Sequence, residues 1–134
     1  MNTCIVYFSR TGNTKRLAQA IANMAKAPIY DIASAEPSAV ESCDLLILGS
    51  PVEGARPAKE ALVFVEYMPK VEGKKAILFC TYRLWKGSTL KILEKELAAK
   101  GYETVLSVSK KGMKPSKEAD FSEVLGEVKK ALEK

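Results

Sequence analysis

The sequence predicts an α/β protein in which five parallel strands form one sheet with helices on both faces. Short runs of consecutive apolar residues occur along the chain, a pattern typical of strands buried on both faces. They alternate with longer segments whose apolar residues recur at helical spacing, as in a doubly wound sheet. A length of 134 residues fits one domain, which we expect to span residues 1–134.

The strands are predicted from short apolar runs that end at turn-forming residues. The third of these runs is apolar throughout and ends at Gly49, whereas the second is short and weak. The five predicted strands are residues 3–8, 28–32, 45–48, 75–80 and 104–108.

The helices are predicted from apolar residues at spacings of three and four. Pro57 suits the first turn of the second helix, where a missing N–H costs nothing. Ser88 is placed at the N-cap of the third helix, and Gly101 lies where its C-cap is expected. Residues 33–44 barely accommodate a helix, so we expect one turn around residues 37–41 or none. The four predicted helices begin near Asn13, Pro57, Ser88 and Phe121.

Charge is distributed unevenly along the chain. The formal net charge is +5, with −1 in residues 1–67 and +6 in residues 68–134. Residues 110–117 alone contribute four lysines. Such a segment attracts anionic partners, but a solvated lysine loop explains it more simply, because no aromatic residues are interleaved and no nucleic-acid motif is matched. We therefore expect no nucleic-acid partner.

Several classes of chemistry are disfavoured by composition. The chain contains no histidine, which removes the Ser–His and Cys–His nucleophile systems and the commonest metal ligand. Three cysteines without a CxxC pair argue against a disulfide framework, and no metal site is expected. No apolar run approaches the roughly 18 to 20 residues that span a bilayer, and no signal peptide is evident. The expectation is a cytoplasmic protein without a membrane span.

The loop between the first strand and the first helix carries the strongest functional signal. A helix N-terminus presents unpaired backbone N–H groups, and the helix dipole favours an anion there. Hydroxyl side chains and a glycine that allows close approach predict a phosphate site built from neutral donors. The alternative is a polar turn with Thr11 or Asn13 as an ordinary cap. The loop reads Ser9, Arg10, Thr11, Gly12, Asn13 and Thr14.

Two further loops follow the third and fourth strands. In an open α/β sheet, ligands bind beyond the carboxyl ends of the strands. Residues 49–57 are rich in glycine and proline, while residues 81–87 contain Tyr82 and the only tryptophan, Trp85. Backbone amides on one side and an aromatic side chain on the other predict a slot for a flat ring.

With these three loops, the sequence resembles the flavodoxin family. Residues 9–14 match the family's S/T-x-T-G-N-T phosphate loop, and residues 49–57 resemble its G-S-P-x-x-x-G-x-P loop. Residues 81–87 look like the third flavin loop, and the resemblance spans the whole chain. It implies a flavodoxin-like three-layer sandwich with sheet order 2-1-3-4-5 and non-covalent binding of FMN.

The resemblance also implies which residues contact the flavin. Residues 9–14 would hold the phosphate, with Arg10 as a supplement, and Tyr82 or Trp85 would stack on the ring. Gly54 would be the glycine whose peptide turns toward the flavin, since glycine tolerates positive φ. The implied cofactor-binding residues are Ser9, Arg10, Thr11, Gly12, Asn13, Thr14, Ser50, Pro51, Val52, Glu53, Gly54, Thr81, Tyr82, Trp85 and Gly87.

The favoured function is that of an electron carrier that shuttles single electrons between redox partner proteins. Many relatives carry an aromatic residue where this chain has Glu53, and a carboxylate there would repel an anionic reduced flavin, so a low potential is a hypothesis. Because the chain is basic, acidic partners are one option, and it is expected to be a monomer or a weak dimer. The alternatives are an FMN-dependent NAD(P)H:quinone or flavin reductase and a flavin-free interaction module.

Overall fold

The computed structural model describes residues 2–111 and 120–133. Within these ranges, none of the helices is long and apolar enough to cross a bilayer. A single 3₁₀ turn at Pro37–Val40 connects the second and third strands, as expected. The strands are β1 (Thr3–Tyr7), β2 (Ile29–Asp31), β3 (Leu45–Glu53), β4 (Arg56–Pro57), β5 (Lys74–Tyr82) and β6 (Tyr102–Lys111), and the helices are α1 (Asn13–Ala25), α2 (Lys59–Glu66), α3 (Thr89–Ala98) and α4 (Ser122–Leu132).

Five of the strands form a parallel sheet in the order β2-β1-β3-β5-β6. Counted along the parallel strands alone, this is the order 2-1-3-4-5, and the fold class predicted from the sequence is confirmed. The two-residue strand β4 was not predicted, and it pairs antiparallel with the end of β3. The sheet order reverses between β1 and β3, so the loops after these strands flank the crevice where ligands bind in open α/β sheets.

Two apolar layers cover the sheet. The side chains of β1, β3 and β5 alternate between the faces, with Val6 and Leu78 in one cluster and Ile5 and Ile77 in the other. Helices α2 and α3 pack on the first face, and α1 and α4 pack on the second. Gly49 is required in β3 because a Cβ there would overlap the ring of Phe79. The predicted three-layer sandwich is therefore present.

Two boundaries differ from the sequence prediction. The third strand does not end at Gly49 but continues to Glu53. Pro57 does not lie in the first turn of a helix; it pairs with Val52 in β4, and α2 begins at Lys59. Proline is compatible with this position because β4 is a short edge strand, where a residue without a backbone N–H does not interrupt the hydrogen bonds of the sheet. The predicted helix start at Pro57 was wrong because a hairpin directly follows the third strand, and the helix begins only after that hairpin.

The ends of two further elements also refine the prediction. Ser88 occupies the N-cap position of α3, but its side chain forms no capping hydrogen bond. Gly101 adopts a positive φ of 95° shortly after the helix ends at Ala98, as a C-terminal glycine often does. The lysine segment at residues 110–117 begins in β6, and residues 112–119 lie outside the described ranges.

Candidate functional site

The three loops predicted from the sequence meet at one cavity beyond the carboxyl ends of β1, β3 and β5. Its volume is about 140 Å³. All three loops contribute to its wall, so the structure brings together residues that are up to 73 positions apart in the chain, Arg10 and Arg83. The lining residues are Arg10, Thr11, Asn13, Pro51, Val52, Glu53, Thr81, Tyr82 and Arg83.

The first loop presents backbone donors to this cavity. The first helical hydrogen bond of α1 runs from the Arg16 N–H to the Gly12 carbonyl at 3.0 Å. The N–H groups of Asn13, Thr14 and Lys15 therefore precede any helical acceptor. Gly12 has a φ of 101°, and its own N–H donates to the Ser9 hydroxyl at 3.1 Å. The donors left for an anion are thus the amides that follow Gly12.

A buried hydroxyl pair joins the first loop to the third. The Oγ1 atoms of Thr14 and Thr81 are 2.7 Å apart, and both side chains are buried. This hydrogen bond and the one between Gly12 and Ser9 occupy two of the hydroxyls predicted to surround a phosphate. Thr11, in contrast, is exposed and lines the cavity.

The second loop is a tight hairpin between β3 and β4. Both residues of its turn have positive φ, 61° at Gly54 and 65° at Ala55, as in a type I′ turn. Glycine adopts this conformation freely, whereas alanine pays about 1 kcal/mol for it. The Ser88 N–H donates to the Ala55 carbonyl at 3.0 Å, and Gly87 packs so closely on Ala55 that a Cβ would overlap it. The third loop therefore braces the strained turn.

Ser50 fastens the base of the same hairpin. Its side chain is fully buried, donates to the Pro51 carbonyl at 2.8 Å and accepts a hydrogen bond from the Ala58 N–H at 3.0 Å. A buried hydroxyl with both a donor and an acceptor partner is satisfied. Ser50 is therefore a framework residue that does not line the cavity, while the neighbouring Pro51 and Val52 do.

Arg10 connects the first loop to the second loop and to α2. Its guanidinium donates two hydrogen bonds to Glu53, both at 2.8 Å, and two to Glu60, at 3.0 and 3.1 Å. It also lies 4.8 Å from the centre of the Phe8 ring. This cluster of Arg10, Glu53 and Glu60, called the arginine clasp below, spans three elements. Glu60 was not identified from the sequence, because nothing in its local pattern distinguishes it from a solvated helix residue.

The arginine clasp changes the charge at the cavity wall. Hydrogen bonding to Arg10 lowers the pKa of Glu60, and hydrogen bonding to Glu53 and then Glu60 raises the pKa of Arg10 above its ordinary value. Glu53 is therefore not a free carboxylate, and the repulsion expected between it and an anionic flavin is reduced by its partner. Arg10 donates four hydrogen bonds to these two carboxylates, and its role beside the phosphate stays a prediction.

The two aromatic residues of the third loop have different surroundings. Tyr82 lines the cavity, whereas Trp85 does not and is 61% exposed. Stacking of Trp85 on a flavin stays a prediction, and Tyr82 is the aromatic residue that the structure places at the cavity. Arg83 also lines the cavity and was not among the cofactor-binding residues that the resemblance implied.

The remaining implied residues lie around the cavity and not in its wall. Gly54 is exposed at the tip of the hairpin, and Gly87 packs against Ala55. Two larger cavities occur elsewhere, one of about 620 Å³ at the amino-terminal edge of the sheet and one of about 260 Å³ between β6 and α4. Neither is lined by the first or second loop, so volume alone does not identify the site.

The cysteines take no part in the site. All three are buried and free. Burial raises the pKa of Cys80 to about 12 and also raises the pKa of Cys4, which keeps both thiols protonated near neutral pH. Cys4 and Cys80 therefore act as small apolar core residues.

Solved structures identify the class of fold. Oxidised flavodoxin 1 from Bacillus cereus superposes with a TM-score of 0.84 at 25% identity, covering 99% of this chain and 98% of that one. Flavodoxin 2 from the same organism gives a TM-score of 0.85 at 21% identity and covers 99% of both chains. The protein therefore has the flavodoxin-like fold, with its three-loop cavity at the carboxyl edge of the sheet.

Sequence comparison identifies the family. The flavodoxin domain model matches residues 4–114. The flavodoxin of Megasphaera elsdenii is 36% identical over 86 residues, which are 58% of this chain and 63% of that protein, slightly less than two thirds of its length. An uncharacterized protein of Methanocaldococcus jannaschii is 32% identical over 106 residues, 77% of this chain and 70% of that protein. The chain belongs to the flavodoxin family.

Proposed function

We propose that this chain binds FMN without a covalent bond and carries single electrons between redox proteins. The observation that carries the proposal is the convergence of all three loops on one cavity at the carboxyl ends of the strands. Family membership supports it, and the resemblance of residues 9–14 to the family's phosphate loop supports FMN in particular.

The donor set of the first loop fits a phosphate. The amides of Asn13 and Thr14 lack helical acceptors, the helix dipole adds positive potential, and Thr11 lines the cavity. A Cβ on Gly12 would meet nothing within 4 Å, so the backbone at this turn is open to close approach. In this proposal, Thr11, Asn13 and Thr14 hold the phosphate through neutral donors.

The second and third loops fit the ring of the flavin. Val52 and Tyr82 offer an apolar and an aromatic surface in the same cavity wall. When bound, FMN supplies one-electron chemistry, and the chain's own task is to bind the ring, orient it and set the charge near it. The arginine clasp balances Glu53 at this wall, so Arg10 keeps a carboxylate from acting there as an uncompensated negative charge.

A carrier accounts for the cavity wall better than a substrate-specific enzyme does. The charged side chains in the described wall are Arg10, Glu53 and Arg83, of which Arg10 and Glu53 form an ion pair. In this proposal the paired Arg10 and Glu53 do not serve as an acid–base pair for a substrate. Redox proteins are therefore the proposed partners, and the basic balance of the chain favours partners with acidic surfaces.

The proposal is tested by titrating FMN against the purified protein and following the quenching of flavin fluorescence. We expect tight binding by the wild type and roughly tenfold or weaker binding by Asn13→Asp, because the new carboxylate would lie beside the phosphate. Riboflavin, which lacks the phosphate, should bind both proteins equally. Asn23→Asp adds the same charge on an exposed position of α1, more than two turns away, and should leave FMN binding unchanged.

Two results would contradict the proposal. If the wild type quenches no flavin fluorescence, the chain is not an FMN protein. If Asn13→Asp weakens riboflavin and FMN equally, the first loop does not hold the phosphate. Oxidation of NAD(P)H by the FMN-loaded protein alone would favour a reductase over a carrier.

A further inference from the structure

Two of the three buried cysteines contact each other. The thiols of Cys4 and Cys43 are joined by a hydrogen bond, although the two residues are 39 positions apart in the chain. Both belong to the apolar cluster on the sheet face that α2 and α3 cover. Cys80, in contrast, lies toward the carboxyl end of β5, where it pairs with Ser50. We call Cys4 and Cys43 the thiol pair.

The path of the backbone brings Cys43 to Cys4. The Asp44 N–H donates to the Asn2 carbonyl at 2.8 Å, so the chain enters β3 beside the start of β1. Just before this point, the Cys43 N–H donates to the Val40 carbonyl at 3.1 Å and closes a turn. The side chains of Cys43 and Val40 therefore enter the same cluster as Cys4. Two sulfurs in contact, carried by different segments, meet the first geometric requirement of a disulfide.

Cys43 lies on a weakly held segment between β2 and β3. In this segment, residues 33–44, which we call the strap, only Val40 and Cys43 are buried. Within the described parts of the chain, the backbone N–H groups of residues 34–43 that bond to the backbone reach only near neighbours, and Lys74 adds one side-chain bond to the Glu41 carbonyl at 3.2 Å. Segments with few buried contacts open locally more often than the core does. The strap is therefore the route by which a small molecule reaches the thiol pair.

The thiol pair is unreactive while the strap is closed. Burial and the hydrogen bond to Cys43 raise the pKa of Cys4 above its ordinary range. Tyr102 lies beside both thiols, and burial, followed by the charge that each thiol would carry, raises the pKa of Tyr102 to about 12. This phenol therefore stays protonated and is no base for the thiols. Because the thiolate is the reactive form of cysteine, oxidation requires an opening of the strap that admits water.

We propose that the thiol pair is a reversible oxidation site, at which a peroxide produces a disulfide between Cys4 and Cys43. Cys43 reacts first, because it is 7% exposed and lies on the strap, whereas Cys4 is fully buried in β1. This site lies near the amino-terminal ends of β1 and β3, away from the three-loop cavity at their carboxyl ends. The proposal does not depend on the proposed function.

The reaction has two steps. The Cys43 sulfur attacks one oxygen of hydrogen peroxide, the O–O bond breaks, and the products are a sulfenic acid on Cys43 and one water. The Cys4 sulfur then attacks the Cys43 sulfur, the S–O bond breaks, and the hydroxyl leaves with the proton of Cys4 as a second water. The two thiols lose two electrons in total, and these reduce one peroxide to two waters. A dithiol reductant restores both thiols by exchange.

The disulfide is tested by treating the purified protein with a small excess of hydrogen peroxide, counting thiols after denaturation and mapping peptides without reduction. We expect the three free thiols to fall to one, with a peptide that links Cys4 to Cys43, and dithiothreitol should restore all three. Loss of no thiol, loss of the Cys80 thiol at the same rate, or disulfides between chains on a non-reducing gel would overturn the proposal.

Alanine variants assign the two steps, since alanine suits buried apolar positions. Cys80→Ala should form the disulfide as the wild type does, and Cys43→Ala should keep both of its remaining thiols. In Cys4→Ala, the sulfenic acid has no second thiol, so dimedone should label Cys43. Labelling of Cys80 in place of Cys43, or loss of thiols from Cys43→Ala as fast as from the wild type, would overturn the assignment. If a variant does not fold, the peptide map of the wild type decides.

The route of access is tested with two buried valines. Val40→Ala weakens the packing of the strap and should speed disulfide formation several-fold. Val128→Ala makes the same change in α4, on the other face of the sheet, and should leave the rate unchanged. Equal acceleration by both variants would show that oxidation follows global unfolding, which would overturn the strap as the route. None of these measurements requires bound FMN, so their failure is distinguishable from a failure of the FMN titration.

Discussion

The second and third loops border the same cavity but are built in opposite ways. Hydrogen bonds hold the hairpin of the second loop in three places. At its base, the Ser50 hydroxyl accepts from the Ala58 N–H. Further along, the Arg10 guanidinium donates to Glu53, and the Ser88 N–H donates to the Ala55 carbonyl. The third loop is fastened at its two ends, while its middle residues are exposed. The hairpin is therefore fixed by hydrogen bonds along its length, whereas the middle of the third loop is held only through its ends.

The largest effect is expected where the two loops touch. Gly87→Val places a side chain into Ala55 at a residue with a φ of 55°. Overlap and backbone strain together should lower the free energy of unfolding by about 2–4 kcal/mol. Urea denaturation of the FMN-free protein measures this loss.

A matched glycine provides the control for Gly87→Val. Gly126 lies within α4, and a Cβ there would meet nothing within 4 Å. Gly126→Ala should therefore raise the free energy of unfolding by about 0.5–1 kcal/mol through helix propensity. A Gly87→Val protein as stable as the wild type would show that the third loop does not brace the hairpin.

The second effect concerns the buried bond between the first and third loops. Thr14→Val leaves the Thr81 hydroxyl buried without its partner, which should cost about 1–3 kcal/mol of unfolding free energy. The double variant Thr14→Val with Thr81→Val removes both polar groups and should cost less than the sum of the single variants. Strict additivity in thermal unfolding would show that the two hydroxyls do not interact.

A third effect is pH-dependent and arises from the arginine clasp. Because Arg10 lowers the pKa of Glu60 in the folded protein, the pair adds stability above the unfolded pKa, about 4.3, and this stability is lost as pH falls through the folded value. The wild type should therefore exceed Glu60→Gln in stability at pH 6 and lose that advantage below about pH 4.

The same two proteins should also be compared at increasing salt concentration, because all three side chains of the arginine clasp are partly exposed. The advantage of the wild type over Glu60→Gln at pH 6 should shrink as salt is added, because exposed ion pairs are screened. An advantage that persists unchanged at pH 3 would mean that Glu60 stabilises the fold by packing and not through Arg10.

The smallest effect is expected in the middle of the third loop. Leu84→Ser should change the unfolding free energy by no more than about 0.5 kcal/mol, because its side chain is already in solvent. Thermal unfolding of the FMN-free variant measures this difference. A loss comparable to that of Thr14→Val would show that Leu84 packs on the rest of the molecule.

Much of the fold followed from local patterns. The apolar runs that became β1, β3 and β5 are buried on both faces, so they were visible as unbroken hydrophobic segments. The hairpin was not visible, because β4 has two residues and Pro57 resembled a helix start. A strand this short exists only through its pairing with β3, which no local pattern encodes.

The candidate site was predicted as three segments but not as a set of contacts. Eight of the implied residues line the cavity, and the sequence located them because motif and strand end coincide. The sequence did not predict the partners of Arg10, Thr14 and Ser50, whose polar groups form hydrogen bonds with Glu53 and Glu60, with Thr81 and with Ala58 respectively. These partners lie 8 to 67 positions away in the chain.

The amino-acid sequence by itself determined the parallel sheet, the helix that begins at Asn13 and the loop at its N-terminus, because periodicity and turn chemistry act between near neighbours. Tertiary structure alone decided that Arg10 bonds to two carboxylates, that Gly87 braces Ala55 and that Trp85 stands in solvent. Each of these depends on the distance between atoms from different elements, and that distance is set only when the sheet and its helices have packed.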